Sequence, residues 1–202
     1  MNLFQCVWFI CVFVCIIPTY HPTRNQVSGI LHHSYNAEDL FWKFMTSRYI
    51  YLDLSSANIS YVSCIRAETI AENKSARTLS QRVDVKVKNS DRWVSLNASY
   101  APIEFTSEGN VKTFTSYDND SNAVTNYTFL LSTSTCAVVL KSKDTNGTGP
   151  VESRELWVND KFSSIDMAAC EDAFTNHCNC DGGFFSYDIY ECKGYWTSGH
   201  NG

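Results

Sequence analysis

Between residues 48 and 159 the chain is a succession of strand-length segments, and that run restricts its folds more than any other feature. Eight candidates follow one another at 48–54, 60–68, 79–88, 92–100, 111–117, 124–131, 136–142 and 153–159. Turn-rich stretches such as Asp118-Asn119-Asp120-Ser121-Asn122 and Asp144-Thr145-Asn146-Gly147-Thr148-Gly149-Pro150 separate them, because Asn and Gly tolerate left-handed backbone and Pro cannot continue a central strand. Val83, Val85 and Val87 alternate with Asp84, Lys86 and Lys88, the period of a half-buried antiparallel strand. A short helix is predicted over 35–46, with Leu40, Phe41, Phe44 and Met45 on its apolar face. A second is predicted over about 164–177, with Ile165, Ala168, Ala169 and Phe174 at helical spacing. The tail from Cys178 to Gly202 reads as irregular.

Eight meandering strands close most simply into an all-β, antiparallel up-and-down barrel with a short N-terminal helix and a C-terminal helix packed outside. Closure removes the sheet edges, and eight strands enclose room for one small ligand. An immunoglobulin-like sandwich is the rival, since Trp93 lies between Cys64 and Cys136. The eighth strand and the trailing helix favour the barrel.

The N-terminus sets the compartment. Val7 to Ile17 is a run of 11 apolar residues stopped by Pro18, long enough for the core of a signal peptide and too short to span a bilayer. Residues 1–19 therefore read as a signal, with cleavage placed between 18 and 24, leaving 20–202 as a single domain. Of the 9 cysteines, Cys6, Cys11 and Cys15 leave with the signal. Cys64, Cys136, Cys170, Cys178, Cys180 and Cys192 remain, an even set that reads as three disulfides in a secreted chain. Asn58, Asn73, Asn97, Asn119, Asn126 and Asn146 all head N-x-S/T sequons, which also points to the secretory pathway. A net charge of −5 argues against nucleic acid and against an anionic membrane surface as partner.

A glycosylated Asn must face solvent, so the sequons set strand phase. With Asn126, Thr128 and Leu130 outward, Tyr127, Phe129 and Leu131 point in. With Asn97 outward, Val94, Leu96, Ala98 and Tyr100 point in. Cys64 shares the outward parity of Arg66 and Glu68, which suits a bond to something wrapped around the barrel. If Cys136 also bonds outside, Ala137 lines the cavity. No Lys or Arg is placed inside.

At this point the sequence resembles the tick salivary lipocalins of the histamine-binding type, over roughly residues 36–193. The resemblance rests on Asp39 to Lys43 followed by Tyr49-Ile50-Tyr51, on Cys64, on Thr135-Cys136-Ala137-Val138-Val139 with Glu155-Leu156-Trp157, and on Cys170 with Tyr187-Asp188-Ile189-Tyr190-Glu191-Cys192. It implies a lipocalin barrel with disulfides Cys64–Cys192 and Cys136–Cys170. Each would close a long loop, with ~4–5 kcal/mol apiece in the chain-entropy model. Cys178 and Cys180 have no counterpart in that frame. Pairing with each other makes a strained ring, and a metal role with His177 lacks the spacing of a zinc site, so neither a metal nor a cofactor is expected.

The resemblance also implies capture of a small host mediator, chiefly histamine or serotonin and in some members a lipid mediator such as a leukotriene. A buried ammonium must meet carboxylates, and its ring favours aromatic walls. The family's amine signature puts one acid directly after the cysteine of the seventh strand and a second in Glu-Leu-Trp. Here Glu155 and Trp157 match, whereas Ala137 occupies the first acid's position and Tyr127 that of another. Tyr117 matches an aromatic, and Phe129 joins the wall. Glu155, Trp157, Tyr127, Tyr117 and Phe129 are thus the candidate ligand residues, with an amine as first expectation and a lipid mediator, or a host protein held by the loops, as alternatives. A monomer is expected. No G-x-S-x-G, H-E-x-x-H or Gly-rich phosphate loop occurs, and His21, His32, His33, His177 and His200 fall in tails or at a helix end, so no enzyme is expected.

Overall fold

A computed structural model of the chain describes residues 37–107, 109, 111–118, 123–144, 149–178, 180 and 183–194. The signal segment, His21, His32, His33, His200, Asn119 and Asn146 lie outside the described residues.

All eight expected segments are strands: β1 Tyr49–Ser55, β2 Val62–Asn73, β3 Thr78–Val87, β4 Trp93–Phe105, β5 Val111–Asp118, β6 Ala123–Ser132, β7 Cys136–Asp144 and β8 Pro150–Asn159. They pair antiparallel in sequence order, and β1 closes the ring between β8 and β2. Closure on the β2 side is brief, with only Tyr49–Tyr51 facing Arg66–Glu68. Helix α1, Ala37–Met45, precedes the barrel. Its Phe41, Trp42, Phe44 and Met45 are buried and share one core with Ile50, Ala67, Phe114, Ala137 and Val139 from the strands. Burial of each such side chain contributes roughly 1.5–3 kcal/mol, which holds α1 across the interior.

A second core lies on the outer wall. Helix α2, Ser164–Cys178, and helix α3, Ile189–Gly194, cover Tyr51, Leu54, Cys136, Val138, Leu156 and Val158. This explains a sequence contrast. β3 alternates because Val83 and Val85 line the cavity while Asp84 and Lys86 on its outer face form ion pairs with Arg66 and Glu191. By contrast, β7 begins with four consecutive buried residues, Cys136 to Val139, because both of its faces are covered. The buried face of α2 is Cys170, Phe174 and Cys178, at i, i+4 and i+8, while Ile165, Ala168 and Ala169 are exposed. Of the face expected from the sequence only Phe174 is buried, and Cys170 and Cys178 replace the rest.

Two further expectations change. The pairing of β6 with β7 shifts register between Phe129 and Leu131, and Leu131 pairs with Val138 and packs into the outer core rather than pointing inward. An extra residue in one strand reverses the parity beyond it. The tail is not irregular throughout: Phe185–Ser186 form a ninth strand, β9, beside Leu54 and Ser55 of β1, and α3 follows. Trp93, the residue that kept a sandwich open, lies on the outer wall against the Arg66 guanidinium rather than between two sheets.

Candidate ligand site

The barrel encloses a cavity of about 820 Å³, within the range of pockets that hold one drug-sized molecule. Phe44 and Met45 of α1 line it at one end, and Leu96 and Tyr117, about half exposed at 49% and 51%, line it toward the other. Tyr127, Phe129 and Trp157 also line it, so four of the five candidate residues border one space. Phe129 is held edge-on by Phe41 of α1, with ring centroids 4.4 Å apart. Tyr127 meets Tyr100 edge-on at 5.6 Å. Burial, reinforced by the negative charge of Glu155, pushes the Tyr127 phenol well above its ordinary pKa. Burial, then Tyr127 itself, does the same to Tyr100. Both phenols stay protonated and offer the cavity neutral polar groups.

Glu155 is the fifth candidate, and its placement changes the chemistry. It is 1% exposed, faces inward from β8, and does not border the open cavity. Lys141 of β7 donates from Nζ to its Oε1 at 3.0 Å, and the Trp157 indole N–H donates to its Oε2 at 2.9 Å. Both carboxylate oxygens are therefore engaged within the protein. Lys141 does border the cavity, with 25% of its side chain accessible, and lies 5.9 Å from the centroid of the Tyr127 ring. Burial alone drives an ammonium's pKa down, but the charge of Glu155 and its hydrogen bond outweigh this and hold Lys141 above the usual lysine value. The cation is permanent at any physiological pH.

The expectation of no Lys or Arg inside is thus corrected. Lys141 has the parity of Ala137 and Val139, which were already assigned to the inner face, so alternation along β7 was the available signal. Lys143 of the same strand lines the cavity too, and no carboxylate appears among the described residues that line it. Ala137 is inward but fully buried beneath α1, and does not line the space.

Disulfides join Cys64 to Cys192, Cys136 to Cys170 and Cys178 to Cys180. The first ties α3 to β2 and the second ties α2 to β7. Among the described residues no cluster of three or more His, Cys, Asp or Glu could hold a metal ion. No described helix is long and apolar enough to cross a membrane. Asn58, Asn73 and Asn97 are exposed, while Asn126 is half-buried.

Comparison with known proteins decides the family. The model of the tick histamine binding protein family matches residues 32–194. The chain belongs to that family. Among solved structures, lobster apocrustacyanin A1 superposes with a TM-score of 0.51 at 15% identity, over 76% of this chain and 86% of the other. The siderocalin Ex-FABP, described as acting through dual ligand specificities, superposes at 0.50 and 10% identity, over 71% and 93%. Identities this low speak for the fold alone: this family member is a lipocalin-type barrel, built to hold a small ligand. No curated sequence matches.

Proposed function

We propose that this family member is a secreted, monomeric scavenger that sequesters a small host mediator by mass action, and that its cavity takes an amphiphile with an acidic head in preference to an amine. One observation carries the preference. Among the described residues the charged side chains bordering the cavity are lysines, Lys141 and Lys143, while Glu155 is spent on Lys141 and Trp157. A carboxylate entering this space accepts from the Lys141 N–H groups not given to Glu155, with Lys143 adding the second positive charge, and its hydrocarbon meets Phe44, Ile50, Phe114 and Phe129. Tyr100 and Tyr127 supply hydroxyls where a lipid mediator carries its own.

An amine remains a second reading, supported by family membership and by the aromatic surround of Glu155. Histamine or serotonin would have to displace the Lys141 ammonium and take its bond to Oε1. That exchanges one cation for another and yields little net attraction.

Calorimetry on the folded, disulfide-bonded protein with leukotriene, arachidonate, histamine and serotonin separates the readings. The acids should bind one to one, and Lys141→Met should weaken them at least tenfold. Tight histamine binding without heat from the acids would establish the amine reading instead. No heat from any of the four would remove the scavenger function and leave a loop-mediated host-protein contact as the alternative.

A further inference from the structure

Below their short pairing at Tyr49–Tyr51, β1 and β2 part, and the C-terminal segment enters the gap. β9 pairs with Leu54 and Ser55 of β1. The Tyr187 N–H then donates to the Asp53 carbonyl of β1 at 2.9 Å, and the Asp188 N–H to the Ser63 carbonyl of β2 at 3.0 Å. One residue thus bonds to one strand and the next residue to the other. The wall at this point is made by the tail.

The side chain at the crossing is Tyr187, which is 7% exposed. It forms an apolar cluster with Leu52 and Ile65, against which Val83, Val85 and Trp157 pack. Ile65, Val83, Val85 and Trp157 all line the ligand cavity. The ring therefore reaches through the wall into the layer of side chains that bounds the cavity beside Trp157, the residue that holds Glu155. Its hydroxyl accepts from the Ile59 N–H at 3.0 Å and donates to the Ala57 carbonyl at 3.4 Å, in the loop between β1 and β2. Behind it the segment is anchored to β2 and β3 by the Cys64–Cys192 disulfide and by the Lys86–Glu191 ion pair.

We infer that Tyr187 is a specificity-determining residue of the ligand site: a plug delivered from outside the barrel that sets how far a bound chain can extend past Trp157. This rests on the carboxylate-amphiphile reading above. Removing the ring leaves a hole of one phenol's volume behind cavity-lining side chains, and neighbours in a packed core relax only partly into such a hole.

The test is the chain-length preference of the full disulfide-bonded protein, read by displacement of the fluorescent acid cis-parinarate with saturated fatty acids of stepped length. Wild type should show an optimum length. Tyr187→Ala should move that optimum to longer chains and bind the longest at least fivefold more tightly than wild type does. Tyr187→Phe should keep the wild-type optimum, because the ring remains. A merely structural role lowers all affinities in parallel without moving the optimum, and that result overturns the inference. Tyr187→Leu, shorter but still apolar, replaces Tyr187→Ala if the latter does not fold. If wild type binds no fatty acid, the acidic-ligand reading fails, and the plug is judged alone with p-cresol, the free side chain. p-Cresol should raise the melting temperature of Tyr187→Ala and leave wild type unchanged. No effect on the variant overturns the plug itself.

Discussion

Replacing Lys141 by Met tests whether Glu155 is as captive as its geometry implies. The unbranched Met keeps most of the lysine stem's volume and deletes the charge. At 3.0 Å and an effective dielectric constant of about 20, the Lys141–Glu155 attraction is on the order of 5 kcal/mol. Much of that offsets the cost of burying both ions, so the intact pair contributes little net. Breaking it differs, because Glu155 is left 1% exposed with only the Trp157 indole as partner. Removing one member of a buried pair costs about 3–5 kcal/mol. The carboxyl can limit that loss by taking up a proton. From an ordinary glutamate pKa of about 4.3, doing so at pH 7 costs about 4 kcal/mol, and about 1.4 kcal/mol less for each unit of acidification. The variant's folded state then holds one more proton than its unfolded state, so its stability relative to wild type falls as pH rises from about 4 to 7. Urea unfolding at pH 4.5, 6 and 7 should give a deficit of about 4 kcal/mol at neutrality that nearly vanishes at the acid end. Adding Glu155→Gln to Lys141→Met should recover most of the deficit at pH 7. A variant as stable as wild type at pH 7, or one whose deficit ignores pH, would refute a captive Glu155 and reopen it as an amine's counter-ion.

The Asp53 carboxyl is raised to about 6, first by burial and then by the charge of Glu171, and its Oδ2 has no hydrogen-bond partner among the described residues. Its favourable share of stability is present below about pH 4 and lost as pH rises through about 6. Asp53→Asn should therefore stabilise the protein above pH 6 by about 1 kcal/mol, after discounting a shift worth about 3 for solvent screening of a half-buried group. Unfolding curves at pH 4.5 and 7.5 check this, and an unchanged pH slope counts against it. Among the disulfides, Cys64–Cys192 spans 128 residues and Cys136–Cys170 spans 34. Loop-closure entropy ranks their removal at about 5 and about 4 kcal/mol. Thermal melts of the paired Cys→Ser variants should keep that order, and a reversal would show that local packing outweighs chain entropy. Finally, protein secreted from insect cells should lose mass stepwise through Asn58→Gln, Asn73→Gln and Asn97→Gln. Asn126→Gln should change it least, because that side chain is half-buried. Equal mass loss at Asn126 would contradict the accessibility argument.

Much of the architecture was legible because strand periodicity is a local property. Alternation at Val83, Val85 and Val87, with turn residues between segments, located the strands to within a few residues. Sequon parity placed Tyr127 and Phe129 on the inner face, where both now line the cavity. Parity failed where the backbone carries an extra residue, and Leu131 is the case: nothing in Phe129-Leu130-Leu131 announces the register shift. The candidate site was legible in part. Glu155 and Trp157 could be singled out, and Lys141 could have been by the same alternation, but the bond between them could not.

That difference has a physical reason. Composition, period and turn chemistry act through neighbours along the chain, so the sequence by itself determined eight strands, a leading and a trailing helix, an even set of cysteines beyond the apolar N-terminal run, and which side chains share a face. Whether a carboxylate waits for a ligand or is already satisfied depends on what stands 3 Å away across a strand pair. Here that group is an ammonium 14 residues earlier. The entry of Tyr187 between β1 and β2 likewise depends on how far two strands diverge, a quantity that exists only once the barrel has closed. Tertiary structure alone decided that Glu155 is already engaged by Lys141 and so is withheld from the cavity.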